Sequence, residues 1–580
     1  MTSLAADLVL RSGKIATMDA QERFVQAMAA RDGRIVALGS NGDIDPLIGP
    51  GTRVIDLDGR TAIPGIVDSH CHPDAYAARL ASWELLSPDR IHSREALLAR
   101  ISQVADSGGA DDWIAGYRLN ENKSGGYPTL SEMDTASKGR PLFILRTDGH
   151  IGLANSRAFA LLGIDETTQP PEFGQFDKDP QTGKLTGVVR ETAAHLFLEK
   201  IHSGDTSETI ADGLERVFAE WTRVGITSVY NSLTPSHAVA AYQLLKDQGR
   251  LGMRVGIIVS GRQDGLVESF ARSGIRSGFG DDWVRVIGVE WCPDCSTSGR
   301  TAAYYEPYVG RKIEGEPDPN TGILLYELED LKARALVAHR AGLQVMIEGV
   351  GDRGIDFALD AIEHCLKHHP VDDHRMRVEH CCYVTPEIEA RIKRLGVIDS
   401  SATGFMYELG DAYAANRGQA AMARMWPHRS LIDAGIPAPG HSDAMIVKAN
   451  PFLALWSMVN RRSDTGGDLD ASQAVTPTEA LRAYTWLGAY SGREEHLKGS
   501  LEIGKLADVA VLDRDYFSIS FPLSSPYPAW RSPARRINPP MPRKPSHRRF
   551  WWTRRRMWSS RCRPTRTIRK SPNTLIVRRR

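Results

Sequence analysis

Apolar runs along this chain follow two rhythms. Between residues 7 and 62 they are short and broken by turn residues: Asp7-Leu8-Val9-Leu10, then Gly33-Arg34-Ile35-Val36-Ala37-Leu38-Gly39, then Arg53-Val54-Ile55-Asp56-Leu57 before Gly59. That pattern predicts a small β unit. Later runs end in polar residues and lead into helical periodicity: Gly225-Ile226-Thr227-Ser228-Val229-Tyr230, Val284 to Glu290, Gly342 to Glu348, and Arg375 to His380. Repeated βα units of this kind predict an α/β fold built on a parallel barrel. The last three of these strands stop on Glu or His, at the end where a barrel keeps its chemistry. Residues 78–215 are too long for one barrel connection, and Pro141-Leu142-Phe143-Ile144-Leu145-Arg146 predicts that this insertion has a sheet of its own. Hydrophobic periodicity is lost from about Ser520.

Length and composition narrow the class. A chain of 580 residues exceeds one ordinary core, so several domains or a large barrel with additions are expected. No run of eighteen apolar residues occurs, which predicts no membrane span. The start, Met1-Thr2-Ser3-Leu4-Ala5-Ala6-Asp7, has no basic stretch followed by an apolar one, so a cytoplasmic location is expected. The 7 cysteines are odd in number and scattered, unlike a disulfide framework, and reduced thiols follow. The net charge of +1 hides a split: the last sixty residues carry 18 Lys and Arg and no Asp or Glu, leaving 54 basic against 71 acidic residues in the body. A basic tail interleaved with Phe550, Trp551, Trp552 and Trp558 offers nucleic acid charge and stacking. Its Arg, Pro, Ser and Trp content is better explained as a GC-rich gene read out of frame, so nucleic acid is not an expected partner.

The stretch Pro64-Gly65-Ile66-Val67-Asp68-Ser69-His70-Cys71-His72 carries the sharpest chemistry. Histidines spaced i, i+2 at a strand end lie on one face, where neutral imidazoles can hold one divalent ion. A surface pair after a strand is the plain alternative. Cys292-Pro293-Asp294-Cys295 is a lone C-x-x-C without a redox-type context. Its place after Glu290 predicts active-site lining, and Cys381 and Cys382 are expected to be buried neighbours of His380. His364, His368 and His369 read as a solvated helix end. Gly299-Arg300-Thr301 lacks the rest of a phosphate loop.

Four segments together resemble the amidohydrolase superfamily: Pro64 to His72, Arg377-Val378-Glu379-His380, Gly440-His441-Ser442-Asp443, and Lys498 to Asp513. Asp148-Gly149-His150 with Asn155-Ser156, Arg300-Thr301-Ala302, and Gly351-Asp352 narrow the resemblance to its amidohydrolase 3 branch. The resemblance implies a (β/α)8 TIM-type barrel over residues 63–495. It also implies a small β-sandwich from both ends of the body (1–62 and 496–520), a lid insertion at about 78–215, and a tail at 521–580 outside the catalytic body. Carried onto this chain, it puts His70 and His72 on the first barrel strand, His380 on the sixth and Asp443 on the eighth as metal ligands. Two positions depart from the pattern: Glu290 stands where relatives place a bridging lysine, and Glu348 where they place a fifth-strand histidine. Both carboxylates are candidate ligands, for one or two ions, with zinc expected first and manganese or cobalt as alternatives.

The implied reaction is hydrolysis of a non-peptide C–N bond in a small amide, N-formyl compound, carbamate or urea. Metal-bound hydroxide would attack, Asp443 would act as general base and then acid, and a second metal, or His380 if only one is bound, would polarise the carbonyl. His150 and Asn155 are candidate substrate contacts, although a polar pair in an insertion is more often structural. Trp113, Tyr117, Asn120 and Tyr127 in the insertion hint at a bulky or aromatic N-substituent. The competing reading is a barrel whose metal site was lost through Glu290 and Glu348, acting as a binding or regulatory protein. A small-molecule substrate is expected, with a homo-oligomer as one possible assembly.

Overall fold

The structure is a computed structural model, and it describes residues 5–312, 316–518 and 535–537. Its centre is a parallel sheet of seven strands: β1 (Ile66–Cys71), β2 (Ile226–Thr234), β3 (Arg254–Ser260), β4 (Val284–Trp291), β5 (Gln344–Gly349), β6 (Arg377–His380) and β7 (Ile398–Ser401), paired in chain order. Most strand residues are buried, as strands covered on both faces must be. Val67, Tyr230, Ile258, Ile287, Met346 and Ala489 pack together in the interior. Gly65 lets the chain enter β1 close to β2: a Cβ there would lie 2.1 Å from Thr227 Oγ1.

The expected eighth strand is not a ladder. Residues 437–444 fill its place as irregular chain, with Ser401 and Gly440 joined by one parallel bridge. Asp399 N–H donates to Pro437 O and Ser401 N–H to Pro439 O, and neither proline has an N–H to extend a ladder. On the other side Asp443 N–H donates to His70 O at 3.0 Å, so this segment bridges β7 and β1. The barrel is nearly closed, with its last side tied by loop contacts.

Residues 84–191 contribute a six-stranded mixed sheet in which the predicted strand is Leu142–Arg146. At the ends of the body, a four-stranded sheet includes Leu8–Arg11, Arg34–Gly39 and Arg53–Asp56, the three runs predicted to be strands. A five-stranded sheet brings Val509–Val511 back antiparallel to Thr61–Pro64. Leu8, Leu10 and Met28 of the first sheet share a core with Ala62, Val509 and Val511 of the second. Among the described residues, no helix is long and apolar enough to cross a membrane. The basic tail from residue 538 onward, with its Trp551 and Trp552, lies outside the described residues.

Candidate metal centre

His70 is the penultimate residue of β1, with its ring almost wholly buried and its orientation fixed from behind. Its Nδ1 lies 2.8 Å from Glu379 Oε2. Glu379 in turn accepts from Arg377 Nε at 2.5 Å, Arg377 Nη2 at 2.7 Å and Ser400 Oγ at 2.8 Å. A carboxylate at Nδ1 selects the tautomer protonated there, which leaves the Nε2 lone pair free. That Nε2 is 3.5 Å from Asp443 Oδ1, and His72 Nε2 is 3.0 Å from the same oxygen. His72 is the N-cap of helix Pro73–Ser82 but makes no side-chain cap bond, so its ring is not spent on the helix. Asp443 sits at φ +54° and His380 at φ +67°, left-handed conformations that cost non-glycine residues about 1–3 kcal/mol and cluster at functional sites. Ser442 anchors the Asp443 turn: its N–H donates to Asp68 Oδ1 at 3.0 Å and its hydroxyl to Oδ2.

Of the six residues expected to bind metal, His70, His72 and Asp443 present donor atoms within 4.8 Å of one another. Asp443 Oδ1 is buried and accepts a hydrogen bond from neither imidazole. Two imidazole edges and one unsatisfied carboxylate oxygen at a common point fit a divalent cation of the zinc type. Glu348 and His380 face one another at 3.7 Å on the wall of the same cavity of about 410 Å³. Glu290 is placed differently. Its closest approach to His70 is 3.8 Å, at Nδ1 rather than at the Nε2 that faces Asp443, and its other oxygen takes the Ser232 hydroxyl.

Burial and charge oppose one another throughout. Burial disfavours a charge on His70, yet Glu290, Asp443 and Glu379 hold its pKa well above the ordinary imidazole value. Burial likewise works against ionised Asp443, but His380, His70 and His72 drive it well below the usual carboxylate range. For Glu348 burial wins and raises it to about 8 despite His150, Cys292 and Arg262. Glu290 is raised by burial too, with His70 only partly offsetting. Burial lowers His380 to about 3, so its ring is neutral, and its Nδ1 has no hydrogen-bond partner.

His150 lies on the cavity wall, its Nδ1 2.7 Å from Glu191 Oε2. Glu191 outweighs burial and raises His150 to about 9. Asn155 corrects the sequence expectation. It caps helix Ser156–Leu161, its Oδ1 accepting from Leu142 and Ala158 N–H and its Nδ2 donating to Ser137 Oγ and Arg140 O. With its amide saturated inside the protein, it has nothing left to offer substrate. The insertion aromatics are corrected similarly: Trp113 and Tyr117 pack in one core cluster and Tyr127 against another, none of them on the cavity wall. Cys292 does line the cavity, and Cys381 and Cys382 are buried as expected.

Sequence reasoning missed Glu379 and His441. Strand alternation put Arg377 and Glu379 on one face, the signal for a buried ion pair behind the site. His441 stacks on His70 at 4.8 Å and turns its Nε2 to Ser400 O at 3.1 Å; its place two residues before Asp443 was the available hint.

An N-substituted formamide deformylase from Arthrobacter pascens is 26% identical over 522 residues, 88% of this chain and 94% of that protein. Putative amidohydrolase YtcJ of Bacillus subtilis is 27% identical, over 88% of this chain and 95% of its own. Among solved structures, an uncharacterized metal-dependent hydrolase from Pyrococcus furiosus superposes with TM-score 0.69 at 25% identity, covering 88% of this chain and all of that one. One from Pyrococcus horikoshii superposes with TM-score 0.71 at 24% identity, covering 89% and 99%, and shares the fold. Residues 53–522 match the profile of the amidohydrolase family. The chain belongs to that family, in its amidohydrolase 3 branch, and is a metal-dependent hydrolytic enzyme acting on C–N bonds.

Proposed function

We propose that this enzyme hydrolyses a non-peptide C–N bond in a small amide, N-formyl, carbamate or urea substrate, using one divalent ion held by His70, His72 and Asp443. The observation that carries this reading is the approach of both imidazole Nε2 atoms to one unsatisfied oxygen of Asp443, at 3.5 and 3.0 Å. Zinc is the ion of choice for such a nitrogen and carboxylate set, with manganese and cobalt as substitutes. When bound there, the ion supplies Lewis acidity and makes water acidic enough to ionise near neutral pH.

This chain's own groups do the rest. Asp443, ionised by its histidine neighbours, accepts the proton of the attacking water and returns it to the leaving nitrogen. His380, neutral because buried, offers a ring N–H to the carbonyl oxygen. His150, held by Glu191, contacts the substrate from the insertion side. A carboxylic acid (from an amide or N-formyl compound), a carbonic acid half-ester (from a carbamate) or a carbamic acid (from a urea) leaves with the free amine. The Arthrobacter relative's name, with N-substituted formamides as its substrates, supports the N-formyl class as the first to test.

In this reading residues 63–495 are the catalytic barrel and the two end sheets form one β-sandwich from 1–62 and 496–520. The sheet within 78–215 is the lid, since His150 and Leu198 of that insertion line the cavity. The six described cysteines are all free, which suits a cytoplasmic enzyme. A screen of N-substituted formamides, carbamates and ureas with zinc-loaded protein tests the proposal. Turnover of at least one class, lost in His70→Ala, is expected; activity unchanged in His70→Ala would refute the assigned site.

A further inference from the structure

Eight arginines are buried among the described residues, and seven of them are accounted for. Arg146 pairs with Glu121 and Asp148, Arg190 with Asp177, Arg254 with Asp508, Arg300 with Glu316 and Arg377 with Glu379. Arg140 and Arg461 are wrapped by backbone carbonyls. Arg79 is the exception. It is 6% exposed, makes no ion pair among the described residues, and its Nε has no hydrogen-bond partner. Its Nη1 meets only the sulfur of Met445, a weak acceptor, and the guanidinium lies 5.3 Å from the Trp83 ring. A buried guanidinium without an anion is costly, and a protein retains one where a ligand brings the anion.

Position says which ligand. Arg79 lines the same cavity as His70, His72 and Asp443. It is seven residues after His72, two turns along helix Pro73–Ser82 and nearly in line with it, a rise of about 10 Å. Its contact Met445 is two residues after Asp443. Between the metal centre and Arg79 the wall carries Ala75, Ala78, Leu198 and Ile446. Two other charges on that wall are committed: Asp205 is bound by His202 at 2.7 Å and Asp148 by Arg146 at 2.7 Å. Asp74, on the same helix, makes no ion pair with Arg79, and Glu199 is exposed. Arg262 adds a second guanidinium on the wall, exposed and without an ion pair among the described residues.

We propose that Arg79 is a specificity-determining residue that binds a carboxylate on the substrate, so that the enzyme prefers N-formyl or N-acyl amino acids with aliphatic side chains over neutral amides. This rests on the C–N hydrolysis proposed above for the same cavity. A planar fork of donors matches a carboxylate bidentately, and the apolar wall between the two poles takes the aliphatic part.

The test has a binding arm and a turnover arm, both on full-length zinc-loaded protein. Calorimetry compares N-methylsulfonyl-leucine with N-methylsulfonyl-leucinol, neither of which has an amide to cleave. Wild type is expected to bind the acid about 10- to 100-fold more tightly, the worth of a charge-assisted pair, and Arg79→Met to bring the ratio near one. Arg79→Gln serves the same purpose if the methionine variant does not fold by circular dichroism. Equal affinities in wild type, or a preference that survives in the variant because the carboxylate sits on the metal instead, would overturn the proposal. The turnover arm compares kcat/KM for N-formylleucine and N-formylleucinol and expects the same ratio, lost in the same variant. If wild type cleaves neither, the N-formyl class falls from the proposed function, while the binding ratio still decides the role of Arg79.

Discussion

His70 illustrates how much of a metal site is built by residues that never touch metal. Its Nδ1 is claimed by Glu379, which Arg377 and Ser400 hold in turn. Removing the charge in Glu379→Gln leaves Arg377 buried without its anion, at a cost of about 3–5 kcal/mol of stability; in protein still folded by circular dichroism it should weaken zinc affinity about 10- to 100-fold, read by competition with a chromogenic chelator. Affinity unchanged in that variant would mean that Glu379 does not orient His70. A second residue, His428, bears on stability rather than chemistry. Burial lowers it to about 4, with Arg461 reinforcing and only the Trp426 carbonyl opposing. Because the folded value lies below the unfolded 6.5, the unfolded chain binds the extra proton between these limits. The stabilisation from a neutral His428 is therefore complete above pH 6.5 and lost as pH falls toward 4. Between pH 7 and 4.5 wild type should lose about 2–3 kcal/mol more than His428→Gln in denaturant titrations. Equal losses would show that this histidine titrates normally. The pair also marks where sequence runs out: histidines at i, i+2 were legible, but the carboxylate behind one of them depended on which strands become neighbours.

At the scale of elements, strand ends were legible and loop roles were not. Apolar runs closing on Glu290, Glu348 and His380 are barrel strands, because period and length alone specify a buried parallel strand. Residues 437–444 gave no such signal, since Pro437 and Pro439 leave an irregular segment that closes the barrel through loop contacts. Asn155 was ambiguous for a related reason: a polar residue near a cavity motif looks the same in sequence whether it faces substrate or caps a helix. Its four hydrogen bonds settle the matter. Asn155→Ala should cost about 1–3 kcal/mol of stability by leaving the Leu142 and Ala158 N–H groups unpaired, with kcat/KM little changed. A large rise in KM without loss of stability would restore it to the substrate site.

The described body joins three sheet systems, and the cavity of the metal centre is lined from the barrel and the insertion; that body was visible in the sequence as two rhythms of apolar runs. The return of Val509–Val511 to Thr61–Pro64 ties distant parts of the chain together; the resemblance implied it, whereas local pattern did not. A centre formed from β1 and the closing segment 437–444 couples metal binding to global stability. Zinc at about a thousand times its Kd should stabilise the folded state by about 4 kcal/mol and raise Tm, and chelation should reverse this. No shift in Tm on either treatment would mean that the ion binds elsewhere or not at all. The most direct measurement is the zinc content of purified wild type, His72→Ala and Asp443→Asn after dialysis. About one ion per chain in wild type and less than a fifth of that in either variant is predicted. Wild type that stays metal-free when offered zinc, manganese or cobalt, or variants that retain a full equivalent, would contradict a centre built from His70, His72 and Asp443.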